Sequence, residues 1–72
     1  SVSDPVATLS DRELEVFQLI GKGYGRKDIA EILNVSVKTV GSYREIIKRK
    51  LHLKNSPDLM KRAIEWSRNP GS

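Results

Sequence analysis

Apolar residues in this chain recur at helical rather than strand spacing, in four stretches separated by short polar breaks. The first stretch opens at Ser10-Asp11-Arg12-Glu13. There the serine hydroxyl can accept from the amide three residues on, and the Glu13 carboxylate can reach back to the serine amide, which is the capping-box pattern. A first helix is therefore predicted over about residues 11–21, with Asp11, Glu15, Gln18 and Lys22 on its polar edge and Leu14, Val16, Phe17, Leu19 and Ile20 in a wide apolar arc. Gly21, Gly23 and Gly25 break it by supplying positive φ at the C-cap and a loose turn. A second helix, about 26–33, is expected to bury Ile29, Ala30, Ile32 and Leu33 and to leave Lys27, Asp28 and Glu31 wet. Asn34-Val35-Ser36 reads as a turn, because Asn34 tolerates the left-handed conformation and Ser36 is a good N-cap. A third helix over about 37–51 sets Val37, Val40, Tyr43, Ile47 and Leu51 on one side and Lys38, Ser42, Glu45 and Arg49 on the other. Ser56 as N-cap, Pro57 at the first helical position and Asp58 at the positive end of the dipole start a fourth helix, about 57–67. Its apolar residues are Leu59, Met60, Ala63, Ile64 and Trp66. With no strand pattern and no repeat, the expected fold is all-α with four helices.

Composition narrows this to one domain, since 72 residues can bury one modest core. Residues 1–8, with Asp4-Pro5, lack apolar periodicity and read as a linker from a preceding domain; residues 9–68 form the domain and 69–72 a disordered tail. The chain starts Ser1-Val2-Ser3 without Met and ends Pro70-Gly71-Ser72, as a piece excised from a longer protein would. There is no cysteine and a single histidine, His52, which reads as a surface or helix-end residue. A disulfide, a thiolate zinc site and a nucleophile-base-acid set are thus excluded, and no enzymatic activity, metal, cofactor or small-molecule ligand is expected. The run Gly21 to Gly25 resembles a phosphate-cradling loop only superficially, because a helix rather than a strand precedes it. No apolar run approaches the roughly 18 residues of a membrane span and no leader pattern opens the chain. The reading is a cytoplasmic chain without a membrane partner.

Charge is where function first enters. The net charge is +4, yet residues 1–36 carry −2, residues 37–54 carry +5 and residues 55–72 carry +1. The positive field belongs to the third helix. Two short helices joined by a three-residue turn, the second with a basic outer face, is the layout of a helix-turn-helix that reads double-stranded DNA. A major groove about 12 Å wide admits one α-helix, whose N-terminal residues reach base edges. That part of the outer face offers Lys38, Gly41, Ser42 and Glu45. Lys38 can donate to guanine, Ser42 can pair with several bases, and Glu45 can accept from a cytosine amino group or stand by. Ser36 and Thr39, with the free amides at the helix start, suit a phosphate oxygen. Arg44, Lys48, Arg49 and Lys54 read as phosphate clamps or solubility charges. Tyr24 and Trp66, far apart in sequence, read as packing residues rather than stacking platforms. Met60 and Ile64 fall outside the expected core of the fourth helix and suit a contact with a second copy.

These residues resemble the LuxR/NarL/FixJ type of helix-turn-helix found at the carboxyl end of many bacterial transcription regulators. The match runs through Leu9-Ser10, Arg12-Glu13, Glu15-Val16, Gly23, Lys27, Ile29-Ala30, Leu33, Val35-Ser36, Thr39-Val40 and Lys50-Leu51, without gaps, over about residues 9–66. The resemblance implies a third helix in the major groove, a fourth helix serving as a homodimer contact, and a preceding sensor domain such as a phosphoacceptor receiver of a two-component system. It places base contacts on Lys38, Gly41, Ser42 and Glu45, and backbone contacts on Lys27, Ser36 and Thr39. Tyr43 stands where histidine is most frequent and keeps a polar tip for a phosphate. Gly41 stands where lysine is most frequent, Ile46 where asparagine is common, and Gly25 where a small polar cap is usual. Gly41 removes a contact and costs about 1 kcal/mol of helix propensity, so the operator is expected to differ from those of its relatives. A dimer would address two half-sites about one helical turn apart in a near-palindromic operator. RNA polymerase is a candidate further partner. The rival readings are a sigma-factor-like promoter-binding domain docked on polymerase, and a helical interaction module whose basic face meets an acidic protein.

Overall fold

The computed structural model describes residues 4–69: a 3-10 turn at Pro5–Thr8, then α1 (Asp11–Gly21), α2 (Arg26–Leu33), α3 (Val37–Lys50) and α4 (Ser56–Arg68). No strand occurs among the described residues, in line with the all-α, four-helix expectation. Residues 1–3 and 70–72, parts of the expected linker and tail, lie outside the described residues. Among the described residues no helix is long and apolar enough to cross a membrane.

Side chains set the helix starts. At α1 the capping box forms as expected: the Ser10 amide donates to Glu13 Oε1 at 2.9 Å and the Glu13 amide to Ser10 Oγ at 3.2 Å. Ser36 caps α3 by accepting from the Thr39 amide at 3.0 Å. At α4 the cap is Asn55 rather than Ser56, its Oδ1 accepting from the Asp58 amide at 2.8 Å, so that Pro57 moves to the second helical position. Asn and Ser cap about equally well, and Ser56 becomes the half-buried first residue of the helix.

Three helices end by one device. Gly23, Asn34 and His52 take left-handed φ values of 97°, 57° and 58°. The next amide then reaches back five residues, Tyr24 to Leu19 O at 3.2 Å, Val35 to Ala30 O at 2.9 Å and Leu53 to Lys48 O at 2.8 Å, which is the Schellman pattern. Only Gly23, among the three glycines expected to loosen this turn, has positive φ. Gly21 is instead the last residue of α1, and a Cβ there would collide with the Ala63 carbonyl group of α4, whose carbon would lie 2.9 Å away. Its role is the close approach of two helices.

That approach organises the core. α1 packs against both α4 and α3, and α2 packs mainly on α3. Val16, Phe17 and Ile20 of α1 meet Ile29 and Ala30 of α2, Val40 and Ile47 of α3, and Leu59 and Ala63 of α4 in one buried cluster. Trp66 tilts against Phe17 with ring centroids 6.5 Å apart. Two apolar residues expected inside are not: Ile32 is 51% and Val37 43% exposed. Two-turn α2 leans on α3 by one narrow face, and Val37 sits at the open first turn of α3.

Residues 4–8, the described part of the expected linker, pack on the helices. Val6 is buried. Asp4 caps the 3-10 turn through the Val6 amide at 2.9 Å and receives Arg62 of α4 at 2.7 and 2.9 Å. The Val6 amide chiefly, and then Arg62, hold the Asp4 carboxyl below its ordinary value. Lys50, at the end of α3, donates to the Thr8 carbonyl at 3.1 Å and to Glu13 Oε1 at 2.7 Å. The pattern of apolar residues misses this strap because one ion pair and one hydrogen bond from distant helices, with one valine, hold it.

Candidate nucleic-acid interface

The three residues Asn34-Val35-Ser36 turn the chain from α2 into α3 and tie both ends down, Asn34 closing α2 and Ser36 opening α3. Ser36 Oγ and Thr39 Oγ1 also lie 2.9 Å apart, so the two hydroxyls hold each other at the helix start. α3 thereby stands on a core-anchored base of Val40 and Ile47 with its opposite face open.

On that face Lys38, Ser42, Glu45 and Arg49 are exposed and Gly41 half-exposed, following the i, i+3, i+4, i+7 stripe read from the wheel. From Lys38 to Arg49 the stripe runs about 17 Å along the axis, longer than the groove is wide, so its N-terminal half is the part that can enter. Ser42 Oγ donates back to the Lys38 carbonyl at 3.3 Å, which presents its lone pairs outward. A Cβ at Gly41 would meet nothing within 4 Å, so the stripe carries a gap there. Glu45 accepts Lys48 Nζ at 2.6 Å, and that bond chiefly lowers its carboxyl pKa, keeping it an ionised acceptor.

The backbone-contact candidates divide. Ser36 and Lys27 are exposed, Thr39 is half-buried beside Ser36, and Arg49 is exposed at the far end of the stripe. Tyr43 is half-buried against the core. Lys48 has a side chain only 17% exposed and is engaged by Glu45. Arg44 lies off the stripe altogether: it is 8% exposed, between Val40 and Ile47 on the inner side of α3. Burial first, and the Arg26 charge second, lower its pKa, against a smaller opposing effect of Glu45. Lys50 also leaves the outer field, since Glu13 and Thr8 hold it. The +5 of this segment is therefore partly internal, and the outward charge rests on Lys38, Arg49 and Lys54. Arg26 escaped the sequence reading; its signal is its place as the first residue of α2, next to Lys27.

On α4, Met60 and Ile64 are 42% and 38% exposed, side by side at i, i+4 beside Pro57, Lys61, Glu65 and Arg68. They form an apolar strip away from α3.

Residues 7–63 match the family model described as bacterial regulatory proteins, luxR family. The oxygen regulatory protein NreC of Staphylococcus epidermidis is 55% identical over 65 residues, covering 90% of this chain and 30% of the relative. NreC of Staphylococcus haemolyticus and of Staphylococcus carnosus are 54% and 52% identical over the same length. The chain thus spans about 30% of the length of these curated relatives. The match covers α1, α2, α3 and the first part of α4, with the three-residue turn and the outer stripe of α3, and the chain belongs to the luxR family of bacterial regulatory proteins.

Proposed function

We propose that this domain binds double-stranded DNA sequence-specifically, with α3 in the major groove, as the output domain of a bacterial transcription regulator of the response-regulator kind. The observation that carries the reading is the open stripe of α3 on a core-anchored base, within a luxR-family chain. Lys38 and Ser42 read base edges, Glu45 accepts from cytosine, and Gly41 lets the backbone approach where a side chain would otherwise intervene. Lys27, Ser36, Thr39, Tyr43 and Arg49 hold the phosphate backbone on either side, with Arg44 and Lys48 supporting from the inner edge. The Met60 and Ile64 strip pairs two copies on a near-palindromic operator, and a preceding domain controls that pairing.

The test is selection from random duplexes, followed by titration of the enriched site. One sequence class should emerge, and a palindrome should bind tighter than a single half-site. Lys38→Ala and Ser42→Ala should each cost about 1–3 kcal/mol on the selected site and relax discrimination there. Absence of any retarded duplex at low salt would refute DNA binding. Equal losses on random duplexes would turn the two readers into backbone clamps.

A further inference from the structure

Glu45 is the only acid of residues 37–54, and it stands in the exposed stripe of α3. A carboxylate placed there meets two obstacles on a duplex. The phosphates on either side of the groove repel its charge. A glutamate side chain that is free in the unbound domain must also give up its rotamers before it can meet one base edge.

One neighbour meets both obstacles. Lys48 Nζ lies 2.6 Å from Glu45 Oε2, and the partners are unequal: the lysine side chain is 17% exposed and the glutamate side chain 67%. The lysine, mostly covered, is therefore the anchor, and the carboxylate is the part that projects. Of the two cations within a turn on the C-terminal side, Lys48 at i+3 and Arg49 at i+4, the carboxylate takes Lys48. That choice draws it toward the flank on which Gly41 stands one turn earlier, where a Cβ would meet nothing within 4 Å. Ser42, the other residue one turn earlier, donates to the Lys38 carbonyl at 3.3 Å. Neither of these two competes for the carboxylate. With Oε2 on the lysine, Oε1 keeps its lone pairs to accept from a base. Surface ion pairs add little to the stability of a fold, so the consequence of this one lies at the site.

We infer that Lys48 is a positioning residue for base discrimination: it holds the Glu45 carboxylate in one place and cancels its charge, so that Glu45 selects a cytosine amino group at one base pair of the site. Resting on the DNA-binding reading with Glu45 as a reader, this specifies what the support of Lys48 at the inner edge consists of. Lys48 acts on the duplex through Glu45 and neutralises no phosphate of its own. The pair as a whole is neutral, so it contributes to the choice of sequence and not to general affinity.

The experiment compares the parent chain with Lys48→Met, Glu45→Ala and the double variant, by selection from random duplexes and then by anisotropy on the selected site over a series of salt concentrations. Methionine keeps the apolar stem and removes the charge. The parent should prefer cytosine at one position by about tenfold, the worth of one good base contact. Glu45→Ala and Lys48→Met should each lose that preference and keep those at every other position, and the double variant should lose no more than either. Because the double variant removes one charge of each sign, its salt slope should equal that of the parent. A lysine that clamped a phosphate of its own would leave that slope lower by about 0.9. Retention of the cytosine preference in Lys48→Met, loss of every preference together in that variant, or a double-variant slope lower by about 0.9 would overturn the positioning role while leaving Glu45 as a reader. An unchanged preference in Glu45→Ala would overturn it by removing the reader, and failure of the parent to bind any duplex would remove the DNA-binding reading itself.

Discussion

One chemical change, Gly to Ala, should have opposite signs in two helices of this domain. At Gly41 a Cβ meets nothing within 4 Å, so Gly41→Ala adds only helix propensity, about 1 kcal/mol of stability. In a domain of this size that raises the thermal midpoint by about 4–8 °C. At Gly21 the same Cβ would collide with the Ala63 carbonyl group and stand 3.2 Å from Ser67 Cβ. The obstacle is main chain in the middle of α4, so it cannot rotate aside as a long side chain would. Relief requires α1 and α4 to separate, which loosens Phe17, Ile20, Leu59 and Ala63, all fully buried. Overpacking of this kind costs about 1–3 kcal/mol, and the propensity gain is smaller than at Gly41 because the residue is the last of its helix. The net expectation is a loss of about 1–2 kcal/mol at Gly21, and a swing of about 2–3 kcal/mol between the two variants. Urea unfolding followed by the fluorescence of Trp66, which packs on Phe17 across the α1–α4 contact, measures both. If Gly21→Ala proves neutral or stabilising, that glycine is not what brings the two helices together.

Two further predictions concern the helix ends. Lys50→Met should cost about 1–2 kcal/mol at pH 7, the worth of a charged hydrogen bond discounted because the lysine side chain is 36% exposed. Lys50 is the main cause of the lowered Glu13 pKa, so its contribution is present above the ordinary 4.5 and lost as pH falls through the depressed folded value. Unfolding curves of parent and variant should therefore converge in acid to the residual bond with Thr8; a gap constant from pH 7 to pH 3 would show that the carboxylate is not involved. His52→Gly should stabilise by about 0.5–1 kcal/mol, the left-handed penalty removed less the extra freedom gained by the unfolded chain. A lower melting temperature for this variant would mean that the imidazole makes a contact worth more than the strain.

Local chemistry settled most of the architecture in advance. Ser10 and Glu13 specify the start of α1 because their reciprocal bonds span only three residues, and Asn34 and Ser36 bound the turn for the same reason. The outer stripe from Lys38 to Arg49 was equally legible, since periodicity at 3.6 residues per turn assigns faces without reference to any other helix. Tertiary structure decided the rest, wherever the outcome depends on what a second element brings. Gly21 looks like a helix breaker until α4 arrives against it. Residues 4–8 look like a tail until Arg62 and Lys50 reach them from the other end of the chain. Ile32 and Ile29 are the same residue type three positions apart, yet only one of them faces α3. Arg44, Lys48 and Lys50 count alike toward net charge, but packing buries the first and gives the other two carboxylate partners on α3 and α1. The sequence by itself determined which helices form and which face of α3 is polar, because those depend on neighbours within a turn or two. Which charges remain exposed was decided by the packing of helices, which no periodicity along one chain segment encodes.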